Sequence, residues 1–86
     1  MISKEVMVSN PKGLHARPAT LLVRKASSFK SDISIEYMGK KANIKSLIGI
    51  LSLGVGSNNI VNVIVNGLDE KFALEQIVKL INELED

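Results

Sequence analysis

The chain has 86 residues, 45% hydrophobic and 23% charged, which predicts one small globular domain over residues 1–86. It contains no cysteine and one histidine, which excludes disulfide scaffolds, thiolate metal sites, thiol catalysis and multi-histidine metal clusters. Residues 1–45 carry nine basic and three acidic side chains, whereas residues 46–86 carry two basic and six acidic side chains. Such a basic portion favours acidic or phosphorylated partners.

The first strand is predicted at about 2–8, where apolar and polar residues alternate, and turn-forming residues follow it. A helix is predicted from Ala16 to about Ser27. Pro18 has no N–H group to donate and is tolerated only in a first turn, which places His15 at the mouth of this helix. The predicted apolar stripe of the helix consists of Ala19, Leu22, Val23 and Ala26.

The residue pattern in the middle of the chain predicts a hairpin followed by a short helix. A strand at 31–37, a tight connection and a partner strand at 41–44 give the hairpin. Ser46 is a good N-cap for a helix at about 47–53. No apolar run is long enough to span a bilayer or to act as a targeting segment. The absence of cysteine fits an intracellular, reducing location.

A strand at 60–66 and a final helix complete the predicted elements. Asp69 is the expected cap of that helix, which runs to about Glu83. Its predicted buried stripe consists of Ala73, Ile77, Leu80, Ile81 and Leu84. The order βαββαβα predicts the α+β class, as an open-faced two-layer sandwich whose four-stranded antiparallel sheet is covered on one face by three helices.

The segment Gly13-Leu14-His15-Ala16-Arg17-Pro18-Ala19-Thr20 carries the candidate chemistry. A helix N-terminus exposes N–H groups and a partial positive charge, which together favour an anion. The candidate phosphate-binding N–H groups are those of Ala16, Arg17, Ala19 and Thr20. The guanidinium of Arg17 suits phosphate, and a neutral imidazole is a competent nucleophile. A lone histidine before a helix is usually a surface or capping residue, but this combination indicates a phosphate-handling site.

The same segment resembles the phosphorylation-site signature of the HPr family, the histidine-containing phosphocarriers of the bacterial phosphoenolpyruvate:sugar phosphotransferase system. Residues 45–54, Lys-Ser-Leu-Ile-Gly-Ile-Leu-Ser-Leu-Gly, resemble the family's regulatory serine region. The resemblance implies that His15 accepts a phosphoryl group on Nδ1 from phospho-enzyme I and passes it to EIIA domains, with Arg17 stabilising the group. It also implies a cytoplasmic, monomeric carrier that is not itself an enzyme and holds no metal or cofactor.

The resemblance gives Ser46 a second role beside that of helix cap. In HPr proteins of low-GC Gram-positive bacteria the matching serine is phosphorylated by HPr kinase/phosphorylase, and that form binds the regulator CcpA. A phosphate at a helix N-terminus is tolerated, so the fold need not change. Its charge is expected to oppose docking of an acidic partner and to slow phosphorylation of His15.

Apolar residues on the short helix form an expected docking patch for partner proteins. Leu47 is expected to stay partly exposed, together with Ile48 or Leu51, because a short helix cannot bury every side. The cations that rim such a patch, or are simply solvated, are Arg24, Lys25, Lys40, Lys41 and Lys45.

Two other functions are weighed against the carrier. A purely regulatory module would rely on Ser46 alone, and HPr-like regulators of that kind lack the histidine, so His15 counts against it. A nucleic-acid-binding domain would need stacking aromatic residues or a denser basic stripe. Phe29, Tyr37 and Phe72 are too few, so direct nucleic-acid binding and membrane insertion are not expected.

Overall fold

The computed structural model describes residues 1–85. In chain order the elements are β1 (Ile2–Val8), α1 (Ala16–Ser27), β2 (Asp32–Tyr37), β3 (Lys40–Asn43), α2 (Leu47–Leu53), β4 (Asn59–Asn66) and α3 (Glu70–Glu83). The observed order of elements, βαββαβα, is the one predicted from the sequence. Each element begins and ends within one residue of its predicted bounds.

The sheet is antiparallel throughout, with its strands in the order β1-β4-β2-β3. Its register pairs Val6 with Val61 and Ile35 with Val63, so these side chains share one face. All four are buried, whereas Glu5, on the opposite face, is exposed. The helices cover the buried face and the other face is open, which confirms the predicted two-layer sandwich.

The core between the sheet and the helices is almost wholly aliphatic, as the small number of aromatic residues requires. Phe29 is the one aromatic side chain that is buried among the described residues. The ring of Phe72 meets it edge to face, with 5.7 Å between centroids and 80° between ring planes. This arrangement suits the quadrupoles of the two rings and closes the core beside the start of α3.

The two long helices bury their predicted stripes with small differences. In α1 the buried residues are Pro18, Ala19, Leu22 and Ala26. In α3 they are Ala73, Ile77, Val78 and Ile81. Val23, Leu80 and Leu84 are only half-buried, and Val78 replaces Leu80 in the buried stripe. The stripe of α3 is displaced because this helix packs on β1 and β4 as well as on α1.

The structure corrects the role expected for Asp69. This residue occupies the N-cap position of α3, but its side chain makes no capping hydrogen bond. Instead its carboxylate accepts hydrogen bonds from the Ser31 hydroxyl and from the N–H groups of Lys30 and Ser31, the latter two at 3.0 Å. These bonds lower the pKa of Asp69 below its ordinary value, and the bond from the Ser31 hydroxyl has the largest effect. The carboxylate therefore ties the α1–β2 loop to the start of α3.

Candidate functional site

His15 lies at the N-cap of α1, with φ −82° and ψ −171°, and its side chain makes no capping hydrogen bond there. The helix begins at Ala16, and Pro18 occupies its third position, which confirms that His15 stands at the helix mouth. The residue is half-buried, whereas Ala16 and Arg17 beside it are exposed. The imidazole is thus at the surface, where an incoming phosphoryl group could reach it.

A tight turn delivers the chain to His15. The N–H of Gly13 donates to the carbonyl of Asn10 at 3.1 Å, and the N–H of Leu14 donates to the carbonyl of Val55 at 3.0 Å. Gly13 adopts φ +65°, and a Cβ there would lie 2.7 Å from the Cα of Gly56. Glycine is required here because both the positive φ and the close approach exclude a side chain.

The hydrogen bonds of the first turn narrow the set of predicted phosphate donors. The N–H of Ala19 donates to the carbonyl of His15 at 3.0 Å, so it closes the first helical bond. The N–H of Thr20, one residue further on, belongs to the same helical ladder, because only the first four N–H groups fall outside it. The Thr20 hydroxyl donates to the carbonyl of Ala16 at 2.8 Å. Among the predicted backbone donors, those of Ala16 and Arg17 precede the ladder, and Ala19 and Thr20 do not.

An open depression of about 840 Å³ surrounds His15. Its lining residues are Pro11, Lys12, His15, Ala16, Arg17, Thr20, Leu21, Arg24 and Glu85. Three of these side chains are cationic and one is anionic, so the depression favours a negatively charged occupant. The structure thus brings together His15, Arg17, Ala16 and Thr20 as predicted, and it places Ala19 in the buried stripe beneath them.

Sequence reasoning missed Pro11, Leu21 and Glu85, and it expected Arg24 beside the short helix and not in this depression. Leu21 belongs to α1 but lies outside its buried stripe, and its side chain is 40% exposed. Glu85 comes from the far end of the chain, and no local pattern links it to His15. Pro11 lies in the turn after β1, and a turn by itself does not indicate a site. A helical-wheel projection of α1 could have identified Leu21, whereas Glu85 requires the tertiary fold.

Ser46 is the N-cap of α2, as predicted. Its hydroxyl oxygen accepts a hydrogen bond from the N–H of Gly49 at 3.1 Å. The neighbouring Lys45 donates its Nζ to the carbonyl of Phe29 at 2.9 Å, in a partly buried position. Lys45 therefore secures α2 against the end of α1, and it is a structural residue more than a rim cation.

The apolar side chains of α2 divide between core and surface. Ile50 and Leu53 are buried. Leu47, Ile48 and Leu51 are 38%, 80% and 40% exposed. The exposure of Leu47 is confirmed, and both Ile48 and Leu51 are exposed where only one of them was expected to be. We call them the α2 patch. An apolar group of this kind next to a polar cap is typical of a protein-docking surface.

Comparison with known proteins identifies the family. The family model described as the PTS HPr component phosphorylation site matches residues 2–83. The chain belongs to the HPr family. It is therefore a phosphocarrier of the phosphotransferase system (PTS), which confirms the resemblance to that family.

Individual HPr relatives match along nearly the whole chain. Phosphocarrier protein HPr of Buchnera aphidicola is 40% identical over 84 residues, covering 98% of this chain and 99% of the relative. The crystal structure of HPr-C-His from Thermoanaerobacter tengcongensis is 45% identical, with a TM-score of 0.92 over 95% of this chain and 92% of that one. Crh of Bacillus subtilis, a catabolite-repression protein crystallised as a domain-swapped dimer, is 41% identical. Its TM-score is 0.79 over 100% of this chain and 99% of Crh.

The described residues were compared with the requirements of a metal site and of a membrane-spanning helix. Within residues 1–85, no group of three or more His, Asp or Glu side chains could hold a metal. No helix in that part of the chain combines the length and the apolar character needed to cross a membrane.

Proposed function

We propose that this HPr chain carries a phosphoryl group on Nδ1 of His15 from phospho-enzyme I to the EIIA domains of sugar permeases. The observation that supports this most strongly is the place of His15, half-buried at the N-cap of α1 and lining an open depression with Arg17. Membership of the HPr family implies PTS partner enzymes. His15 is the only histidine of the chain, so no other imidazole competes for the role.

In the transfer step, the lone pair of Nδ1 forms a bond to phosphorus while the bond from phosphorus to the donor atom breaks. The electron pair of the broken bond leaves with the donor. The second transfer reverses these roles and returns the imidazole to its free form. Negative charge on the three phosphoryl oxygens is stabilised by the guanidinium of Arg17, by the first-turn N–H of Ala16 and by the positive end of the helix dipole.

The chain acts as a covalent intermediate and not as an enzyme, because the partners complete each transfer site. Phosphoryl transfer requires mainly positioning and charge stabilisation, and a small rigid domain supplies both without a cofactor. We place this carrier in the cytoplasm and regard residues 1–86 as one domain that acts as a monomer. Its size in solution tests the last point, since a dimer like that of Crh would elute at twice the mass expected for one chain.

Ser46 is the proposed regulatory site, modified by HPr kinase/phosphorylase, with CcpA as the partner of the modified form. The hydroxyl of Ser46 is half-buried and already directed at a helix N-terminus, where negative charge is tolerated. The α2 patch, whose first residue is Leu47, follows it directly in the chain. A phosphate at Ser46 would add charge at the edge of the docking surface and so oppose an acidic partner.

The deciding experiment is phosphorylation with two donors. Incubation with phosphoenolpyruvate and enzyme I should add one acid-labile phosphate, as expected for a phosphoramidate, and His15→Ala should abolish it. Because His15 is half-buried at the mouth of α1 and lies outside the hydrophobic core, the variant should keep its fold. With ATP and HPr kinase, the phosphate should be acid-stable and absent from Ser46→Ala. Acid-labile phosphate on His15→Ala would overturn the assignment of the carrier residue.

A further inference from the structure

A buried asparagine holds the loop that leads into His15. The side chain of Asn10 is only 2% exposed, although asparagine is usually a surface residue. Its Nδ2 donates to the carbonyl of Gly13 at 2.7 Å, in a buried position. The carbonyl of Asn10 in turn accepts the N–H of Gly13 at 3.1 Å. Residues 10 and 13 are therefore joined by two hydrogen bonds, one of which depends on the identity of the side chain.

The far side of the same loop is fixed by the segment that follows α2. Leu14 is 4% exposed and its N–H donates to the carbonyl of Val55 at 3.0 Å. Gly13 packs so closely on Gly56 that no Cβ fits between them. The two residues before His15 are therefore held between Asn10 on one side and residues 55–56 on the other.

We propose that Asn10 is a positioning residue for phosphoryl transfer through His15. This rests on the proposed function and deepens it. The bond from Nδ2 to the Gly13 carbonyl orients the peptide between Gly13 and Leu14, and this peptide precedes His15 by one residue. If that peptide rotates, the Cα of His15 and the direction of its imidazole change with it. Transfer depends steeply on such geometry, since a displacement of about 1 Å at a reacting group can reduce a rate about a hundredfold.

The test compares two changes at Asn10 with two controls. Asn10→Ala removes the donor. Asn10→Asp keeps the shape, but an ionised carboxylate cannot donate to the Gly13 carbonyl. Ser28→Ala is the matched control, because its hydroxyl also donates to a backbone carbonyl three residues away, that of Lys25, at 2.6 Å and at the opposite end of α1 from His15. Asp69→Asn is the stability control, because it weakens the tie between the α1–β2 loop and α3.

The first measurement is the rate at which phospho-enzyme I phosphorylates each variant. Loss of positioning should lower kcat about tenfold or more in both Asn10 variants, with KM within about twofold, because the exposed surfaces of α1 and α2 are unchanged. Both controls should keep the kcat of the parent chain. An Asn10 variant that folds and keeps kcat within about twofold, or one that changes KM alone, would overturn the proposal.

The second measurement is amide hydrogen exchange, which needs no partner enzyme. In both Asn10 variants the Leu14 amide should exchange about tenfold faster relative to the β4 amides, because its bond to Val55 is no longer held from the Asn10 side. Unchanged relative protection at Leu14 would also refute the role of Asn10. If Asn10→Ala does not fold, Asn10→Ser replaces it, since serine lacks the Nδ2 group that donates to the Gly13 carbonyl at 2.7 Å. Failure of the parent chain to accept phosphate would instead overturn the proposed function, and the exchange result would stand independently.

Discussion

Replacement of Ser46 should separate its structural role from its regulatory one, because the two roles depend on different features of the side chain. The hydroxyl oxygen accepts the N–H of Gly49 at 3.1 Å, and the Ser46 carbonyl accepts the N–H of Ile50 at the same distance. Ser46→Ala removes only the first bond. The cap requires an acceptor oxygen, whereas the proposed regulation requires negative charge.

The expected loss of stability in Ser46→Ala is about 1 kcal/mol, the usual cost of deleting a serine N-cap. For a domain of this size, that corresponds to a decrease of about 4–8 °C in the thermal midpoint. Urea denaturation gives the free energy of unfolding, and an unchanged m-value would show that the denatured state is unaffected. Ser52→Ala is the matched control, since its exposed hydroxyl donates to the Gly49 carbonyl at 2.8 Å within the same helix. It should change the stability by less than about 0.5 kcal/mol.

Ser46→Asp should show the reverse behaviour. Aspartate caps a helix about as well as serine, and its charge favours the helix N-terminus, so the free energy of unfolding should stay within about 0.5 kcal/mol of the parent value. The same charge should slow phosphorylation by enzyme I about tenfold or more, because like charges in an interface cost more than about 1.4 kcal/mol. Equal stability of Ser46→Ala and the parent chain would refute the capping argument. Equal transfer rates in Ser46→Asp and the parent chain would refute the electrostatic one.

Three further substitutions test other parts of the molecule. The Ser31 hydroxyl lowers the pKa of Asp69, so its stabilising effect is present above the ordinary carboxyl pKa and is lost as the pH falls through the lowered value. Asp69→Asn should therefore flatten the acid limb of the unfolding free energy against pH, and an unchanged slope would contradict this. Gly13→Ala should lower the thermal midpoint, because a left-handed conformation costs about 1 kcal/mol in alanine and its Cβ would lie 2.7 Å from the Gly56 backbone. Ile48→Ser, at a side chain 80% exposed, should change the stability by less than about 0.5 kcal/mol yet raise the KM for enzyme I severalfold. An unaltered KM would remove Ile48 from the docking surface.

Local sequence rules were sufficient for the elements and for the position of His15. Pro18 lacks an N–H group, so the helix had to start close before it, and this constraint placed His15 at the helix mouth. Ser46 caps α2 because its short side chain can reach the N–H three residues on. Both are properties of neighbouring residues, which periodicity and side-chain chemistry can reveal.

The same rules failed wherever a side chain finds a distant partner. Asp69 has the chemistry of a helix cap, but residues of the α1–β2 loop, 38 and 39 positions away, occupy its carboxylate. Lys45 appeared to be a surface cation, yet its ammonium group bonds to the carbonyl of Phe29, 16 residues away. The predicted set of backbone N–H groups that could bind phosphate was also too large. It included the N–H of Ala19, which closes the first helical bond to the carbonyl of His15 when the helix begins at Ala16.

The chemistry of this carrier and the geometry of its site therefore have different origins in the chain. The imidazole and the guanidinium belong to one segment of eight residues, which explains why a motif can reveal them. The orientation of that segment depends on Asn10, and on Val55 and Gly56 beyond α2. Because the transfer rate depends on both, an HPr-like chain that keeps residues 13–20 but loses the segment at 55–56 would keep the reacting groups without holding them in place. The α2–β4 loop belongs to the working site as much as the motif does, although it supplies none of the reacting atoms.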